Sequence, residues 1–152
     1  MPATKIRIPA LGPDWVYPVL DGITDDNLNR GIAHYSETAA LGQPGNYALA
    51  GHRSSVSGFH PWADLPDVIA TGDVVILSTD AVVYDYVVDG TKQTVPEDVG
   101  VLAPDQERHA DPARQLITLT TCTPRYGSSG RFIVFGHLAD QHPRHPGPQR
   151  FE

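Results

Sequence analysis

Apolar positions along this chain recur mostly at every second residue, in runs that are short. In Ala81 to Asp89 the residues Val82, Tyr84, Tyr86 and Val88 alternate with Val83, Asp85, Val87 and Asp89. That is the period of a strand with one face in a core. Asp73 to Thr79 reads the same way, and Thr79-Asp80 between the two runs predicts a tight turn. Asn46 to His52 predicts a strand entered through the turn signal Gln-Pro-Gly-Asn. Gln115 to Cys122 and Arg131 to Leu138 predict two more, and residues 5–20, with three prolines, predict short extended pieces rather than a helix.

Helical signals are few. Asp21 to Asn29 is the best candidate, with Thr24 placed to cap it, Asp25 and Asp26 in its first turn and Gly31 able to end it. Residues 58–71 leave room for one turn around Trp62 to Leu65, kept short by Pro61 and Pro66. Val95 to Arg114 is a long polar connection, and connections of that length in a compact domain are often functional. The C-terminal QHPRHPGPQRFE has no periodicity. The pattern divides the chain into a folded domain over residues 1–138 and a mobile, Pro- and His-rich tail over 139–152. Six or more short strands suggest a closed barrel or a sandwich.

Composition agrees with an all-β reading, because the 14 glycines and 14 prolines imply many turns. A length of 152 residues suits one domain with a real core, and 40% hydrophobic residues exclude a disordered chain. The net charge of -7, with basic residues scattered, argues against nucleic acid or an anionic membrane as partner. No run approaches the length of about 18 apolar residues needed to span a bilayer. The N-terminal MPATKIRIPALG lacks the apolar stretch of a signal peptide. The chain reads as soluble, or as the soluble part of something longer.

The single cysteine, Cys122, excludes an intramolecular disulfide and invites a chemical role. Period two puts Thr118, Thr120 and Cys122 on one face and the apolar Ile117 and Leu119 on the other, so the thiol is expected on a polar surface or groove. Arg131 opens the next predicted strand, across the loop TPRYGSSG. If the two strands pair antiparallel, a guanidinium stands beside the thiol, where it could lower the thiol's pKa or hold a developing oxyanion. His52 ends another strand, whose same-face neighbours Ala48 and Ala50 are small. Cysteine catalysis needs a thiolate and a proton donor for the leaving amine, and histidine supplies the second. Each residue also has a plain reading: a packed thiol, a surface histidine, a solvated arginine. A zinc site would need three or four converging ligands, which a lone cysteine and C-terminal histidines do not supply. A phosphatase would need the cysteine loop to run into a helix, and here Arg131 opens a strand.

The segment TLTTCTPRYGSSGRFIVFGHL resembles the sortase signature, a Thr-Leu-x-Thr-Cys strand followed by a loop and an arginine. PGNYALAGHR is similar to the sortase segment that carries the family's histidine, and VLDGITDDNLNRGIAHYSETAALGQPGN to its N-terminal region. The likeness spans roughly residues 5 to 138. The wording TLTTCTP and NYALAGHR is most similar to the class E sortases of actinobacteria.

The resemblance implies an all-β, closed eight-stranded sortase-type barrel with one or two short helices. It implies a cysteine transpeptidase that cuts a C-terminal LAxTG- or LPxTG-like sorting signal between Thr and Gly. A thioacyl-enzyme then passes the protein to an amine of the cell wall, and class E suggests the Leu-Ala-x-Thr-Gly signal. Its partners would be the sorting-signal peptide and an amine acceptor from a cell-wall precursor or a pilin. Its place would be the outer face of the cell membrane, through an anchor absent from this sequence. Carried over residue by residue, the catalytic set is His52, Cys122 and Arg131. Thr121 and Thr120 are the candidate oxyanion or substrate-binding residues, and Arg125 is a loop residue distinct from the catalytic arginine. Some sortases bind calcium through acids before the cysteine strand. Glu97, Asp98, Asp105 and Glu107 stand there, but such acids are usually solvated, and no metal or cofactor is assigned. The rival readings are a pilus-polymerising sortase, a cysteine peptidase that releases its peptide to water, and a sortase-like barrel that binds without activity.

Overall fold

The computed structural model describes residues 4–53, 58–104, 106, 114–123 and 130–144, with the side chains of Val99, Cys122 and Thr123 outside that description. Eight strands form the fold: β1 (Thr4–Arg7), β2 (Val16–Asp21), β3 (Ile32–His34), β4 (Gly45–Ala50), β5 (Val74–Ser78), β6 (Val82–Thr94), β7 (Gln115–Thr123) and β8 (Gly130–Pro143). They close into a barrel in the order β1-β2-β3-β4-β7-β8-β6-β5. β2 pairs with β3, and β4 with β7, in parallel; every other pairing is antiparallel. The closed eight-stranded barrel is the fold that the resemblance implied.

Strand alternation fills the barrel. Ile6, Tyr47, Leu49, Val75, Leu77, Tyr84, Tyr86, Val88, Ile117, Leu119, Phe132 and Val134 belong to one buried cluster, and in each strand they sit two residues apart. Their burial is the main favourable term in holding the sheet closed. Across part of the outer face lies a second, smaller cluster, in which Val101 and Leu102 pack on Ile133 and Phe135 of β8. Val101 and Leu102 come from a 3-10 turn over Val99–Leu102, inside the long polar connection. That turn is therefore a second layer on the barrel wall.

The helix expected within Asp21–Asn29 is α1 (Asp25–Leu28), and the Thr24 hydroxyl accepts the Asn27 N–H at 3.1 Å, as its sequence position suggested. The turn expected at Trp62 to Leu65 forms later, as α2 (Leu65–Val68), with Pro66 in its first turn. Proline loses nothing there, because the N–H it lacks would have had no partner within the helix. Trp62 is instead fully buried in the core.

Two strands run further than their apolar pattern. β6 continues past Asp89 to Thr94, where Thr91 to Thr94 pair with Val134 to Arg131. β8 continues past Leu138 to Pro143, where Asp140 to Pro143 pair with Asp85 to Val82. The boundary at residue 138 thus falls inside a strand, and residues 145–152 lie outside the described residues. The extensions escape the period-two rule because ladder hydrogen bonds hold them while most of their side chains are exposed.

Gly136 shows how tightly the wall is packed. A Cβ there would stand 2.7 Å from the Val87 carbonyl oxygen and 3.0 Å from Ile117 Cγ2. Gly136→Ala should therefore lower stability by about 1–3 kcal/mol, the usual range for overpacking, read as a lower urea midpoint with unchanged slope.

Candidate active site

Three neighbouring strands, β4, β7 and β8, carry the sequence candidates or lead into them. The parallel register sets Ala48 beside Thr118 and Ala50 beside Thr120. The antiparallel register then sets Thr118 against Phe135, Thr120 against Ile133 and Cys122 against Arg131. Beyond the end of β4 the Gly51 N–H donates to the Thr120 carbonyl at 3.2 Å, which carries the ladder one residue further. His52 follows at once. It stands two residues past Ala50, outside the strand, while Cys122 stands two past Thr120 within β7, paired with Arg131 of β8. The Cys122 side chain and all of Arg125 lie outside the described residues.

The exit of β4 is tied down on both sides of His52. The buried Thr121 hydroxyl donates to the Gly51 carbonyl at 2.8 Å, and the Thr120 hydroxyl donates to the Leu49 carbonyl at 3.3 Å. The two hydroxyls singled out as candidate oxyanion or substrate groups are thus engaged in joining β7 to β4. After His52, its carbonyl accepts the Trp62 N–H at 3.0 Å. The buried Arg53 donates from Nε to the Ala63 carbonyl at 3.2 Å and reaches Asp67 with Nη2 at 3.6 Å. Gly51 is required by closeness: a Cβ there would meet Trp62 Cε3 at 2.7 Å and Ile32 Cδ1 at 2.8 Å.

His52 is half-buried, and desolvation lowers its pKa below the ordinary 6.5, with the Asp25 carboxylate pulling weakly the other way. Arg131 is also half-buried, with Nη1 donating to the Gly130 carbonyl at 2.9 Å. Beside it opens a cavity of about 220 Å³ lined by Tyr35, Pro96, Asp98, Val101, Leu102, Thr120, Arg131 and Ile133. Asp98 meets Lys92 Nζ at 2.9 Å and accepts the Thr94 hydroxyl at 2.8 Å, and hydrogen bonding, from Lys92 first, holds its carboxyl below the usual range. Of the acids weighed for calcium, Asp98 is committed in this way, and Asp105 and Glu107 lie outside the described residues. Among the described residues the grouping of possible metal ligands is Asp85, Asp140 and His142, at the far end of the β6–β8 pair from Arg131.

Several residues around the site had no assigned role in the sequence reading. The Tyr35 hydroxyl lies 3.3 Å from that of Thr120, and the signal for it was its place in the GIAHYSE segment. Asn46, from PGNYALAGHR, is buried beneath the Val99–Leu102 turn and donates to the carbonyls of Val101 and Ala103 at 2.9 and 3.0 Å. Arg53 ends that same segment, whereas Gln106 carried no signal beyond polarity.

Thr121→Val keeps the side-chain shape but leaves the Gly51 carbonyl without its donor. It should cost about 1–3 kcal/mol in urea unfolding, the penalty of a buried acceptor left unpaired. His52 gives a pH signature. The unfolded chain takes up a proton at the ordinary 6.5, while the folded chain resists until lower pH, so protonation favours unfolding. Stability should therefore fall as pH drops from about 7 towards 5, and His52→Gln should flatten that fall when both proteins are titrated with urea across the range.

Comparison with known proteins gives the barrel a family. The chain matches the description Sortase domain over residues 6–139. Sortase SrtE1 of Streptomyces coelicolor is 34% identical over 152 residues, covering 93% of this chain and 42% of its own length. Sortase A of Bacillus anthracis is 33% identical over 134 residues, covering 88% of this chain and 58% of its own. The chain thus spans about half the length of these curated relatives. The solved structure of sortase E from Streptomyces avermitilis shares 40% identity at a TM-score of 0.82, over 93% of this chain and 90% of that one. The match covers nearly the whole described barrel, and the sortase E relatives support the class E likeness of TLTTCTP and NYALAGHR: the chain belongs to the sortase family.

Proposed function

We propose that the chain is a cysteine transpeptidase acting on the C-terminal sorting signals of surface proteins, with Cys122, His52 and Arg131 as its catalytic residues. The observation that carries the reading is the direct register of Cys122 with Arg131 across β7 and β8, with His52 following the end of β4, the strand on the other side of β7. In the reaction the Cys122 thiolate attacks the Thr carbonyl of a Thr–Gly bond, and the Arg131 guanidinium stabilises the negative charge on the carbonyl oxygen. The C–N bond breaks as protonated His52 gives its proton to the leaving glycine amine, and a thioester remains on Cys122. An acceptor amine then attacks the thioester carbonyl, His52 takes its proton, and the thiolate leaves.

The partial burial of His52 suits both steps. It favours the neutral imidazole, which can accept a proton, and makes the imidazolium a stronger acid towards the leaving amine. The signal proposed is Leu-Ala-x-Thr-Gly, and the acceptor an amine of a cell-wall precursor, joined at the outer face of the cell membrane. Among the described residues no helix is long and apolar enough to cross a membrane.

Two labelled peptides test the reading, one with Leu-Ala-Glu-Thr-Gly and one with Leu-Pro-Glu-Thr-Gly, each with and without triglycine. Cutting between Thr and Gly, with triglycine joined to the new end and the Ala peptide preferred, is the expected result. Cys122→Ala should abolish it, and His52→Ala and Arg131→Ala should each lower kcat/KM by about a hundredfold or more. Arg125→Ala should stay within a few-fold of the parent; a loss equal to that of Arg131→Ala would misassign the arginine. Release of free threonine acid even in triglycine would make the protein a peptidase, and cleavage surviving in Cys122→Ala would sink the mechanism.

A further inference from the structure

We propose that Gln106 is a positioning residue that latches the β6–β7 connection to the barrel, so that the wall of the cavity beside Arg131 is set before a peptide arrives. Its kinetic consequence rests on the transpeptidase reading; its structural consequence rests on the fold alone.

Gln106 stands out first by its backbone. Among the described residues it is the non-glycine residue with positive φ, at 59°. That conformation is unfavourable for an ordinary L-residue, and such strain is held in place by the contacts around it. Those contacts are polar and buried. The side chain is 2% exposed, and its amide Nε2 lies 2.8 Å from the Ile117 carbonyl, 2.9 Å from the Thr118 hydroxyl and 3.3 Å from Asn46 Oδ1. Thr118 in turn donates to Asn46 Oδ1 at 2.7 Å. Asn46 Nδ2 completes the set by donating to the Val101 and Ala103 carbonyls.

The network therefore joins β4, β7 and the Val99–Leu102 turn, and its donors and acceptors answer one another. A buried polar cluster of this kind rigidifies only while it is complete, because each member left unpaired is costly in a low-dielectric interior. It also fixes where the turn lies. With its carbonyls held by Asn46, the turn presents Val101 and Leu102 to Ile133, and those three form the apolar wall beside Thr120 and Arg131. Gln106 does not line that cavity. It acts on the cavity through Thr118, Asn46 and the turn.

Gln106→Gly separates the latch from the strain, since glycine adopts positive φ at no cost but has no amide to donate. Gln106→Glu keeps the shape and removes both donors. In the Gly variant, backbone amide exchange at Gly100 to Ala103 should speed up by about tenfold or more while β4 and β7 exchange as before. The KM of the cleaved peptide should rise by about fivefold, with kcat and the rate of Cys122 alkylation by iodoacetamide within about twofold. The Glu variant should do the same. Unchanged exchange over residues 100–103 would overturn the latch. So would uniformly faster exchange with kcat falling alongside, which would make Gln106 a fold-stabilising residue only, and so would local loosening that leaves KM untouched. If the parent protein cleaves neither peptide, the transpeptidase reading falls and the exchange measurement still decides the latch.

Discussion

The parallel pairing of β4 with β7 is the constraint on which the rest depends. Two parallel neighbours cannot be joined by a hairpin, so the chain between Ala50 and Gln115 must travel back to the starting end of β4 before β7 can begin. On the way it supplies α2, β5 and β6, whose far edge closes the barrel against β1 and β8. Beyond β6, Val101 and Leu102 meet Ile133 and Phe135 on the outer face of β8. One pairing thus sets both the closure of the barrel and the layer that roofs part of its wall. It also decides that the chain leaving β4 stands beside the C-terminal half of β7, where the Gly51 N–H still reaches the Thr120 carbonyl.

A strand that stops pairing leaves backbone groups to be satisfied, and the end of β4 shows how this is done. The carbonyls of Leu49, Gly51 and His52 take donors from the Thr120 hydroxyl, the Thr121 hydroxyl and the Trp62 N–H. Consecutive threonines at 120 and 121 therefore have a structural reason, since one hydroxyl reaches β4 from each face of β7. The same contacts hold the backbone on either side of His52, so a half-buried imidazole is presented from a fixed main chain. On the transpeptidase reading that rigidity serves the chemistry, because proton transfer to a leaving amine depends on hydrogen-bond geometry.

What could be read from the sequence followed the same physics. β5, the first half of β6 and β7 were legible because one face of each enters the core, so Val75, Leu77, Tyr84, Tyr86, Ile117 and Leu119 mark them at every second position. Thr91 to Thr94 and Asp140 to Pro143 left no such mark, since the ladder that holds them makes no demand on side chains. The Cys122–Arg131 register was legible as a short connection between two strand signals. Bringing His52 to them was a different matter. No local pattern reports that β4 lies parallel to β7, and only the likeness of PGNYALAGHR to a sortase segment pointed there. Gln106 was hidden for the same reason, because a polar residue in a polar connection shows nothing until the strands it bonds are known.

The charge around the cavity completes the picture. The protein carries a net charge of -7, yet among the described residues the cavity beside Arg131 has one carboxylate in its lining, Asp98. That carboxylate is taken up by Lys92 and Thr94, an engagement that holds it ionised. Lys92 and Thr94 lie on the extension of β6 that pairs with the start of β8, and Thr94 is itself opposite Arg131 in the ladder. The polar tail of β6, which looks dispensable from the core's side, thus supplies a cation to meet the acid that lines the cavity with Arg131. A shorter β6 ending at Asp89 would fill the barrel almost as well, but it would leave Asp98 in the cavity lining without its Lys92 and Thr94 partners. The extension is better understood as electrostatic furnishing of the site than as part of what holds the barrel closed.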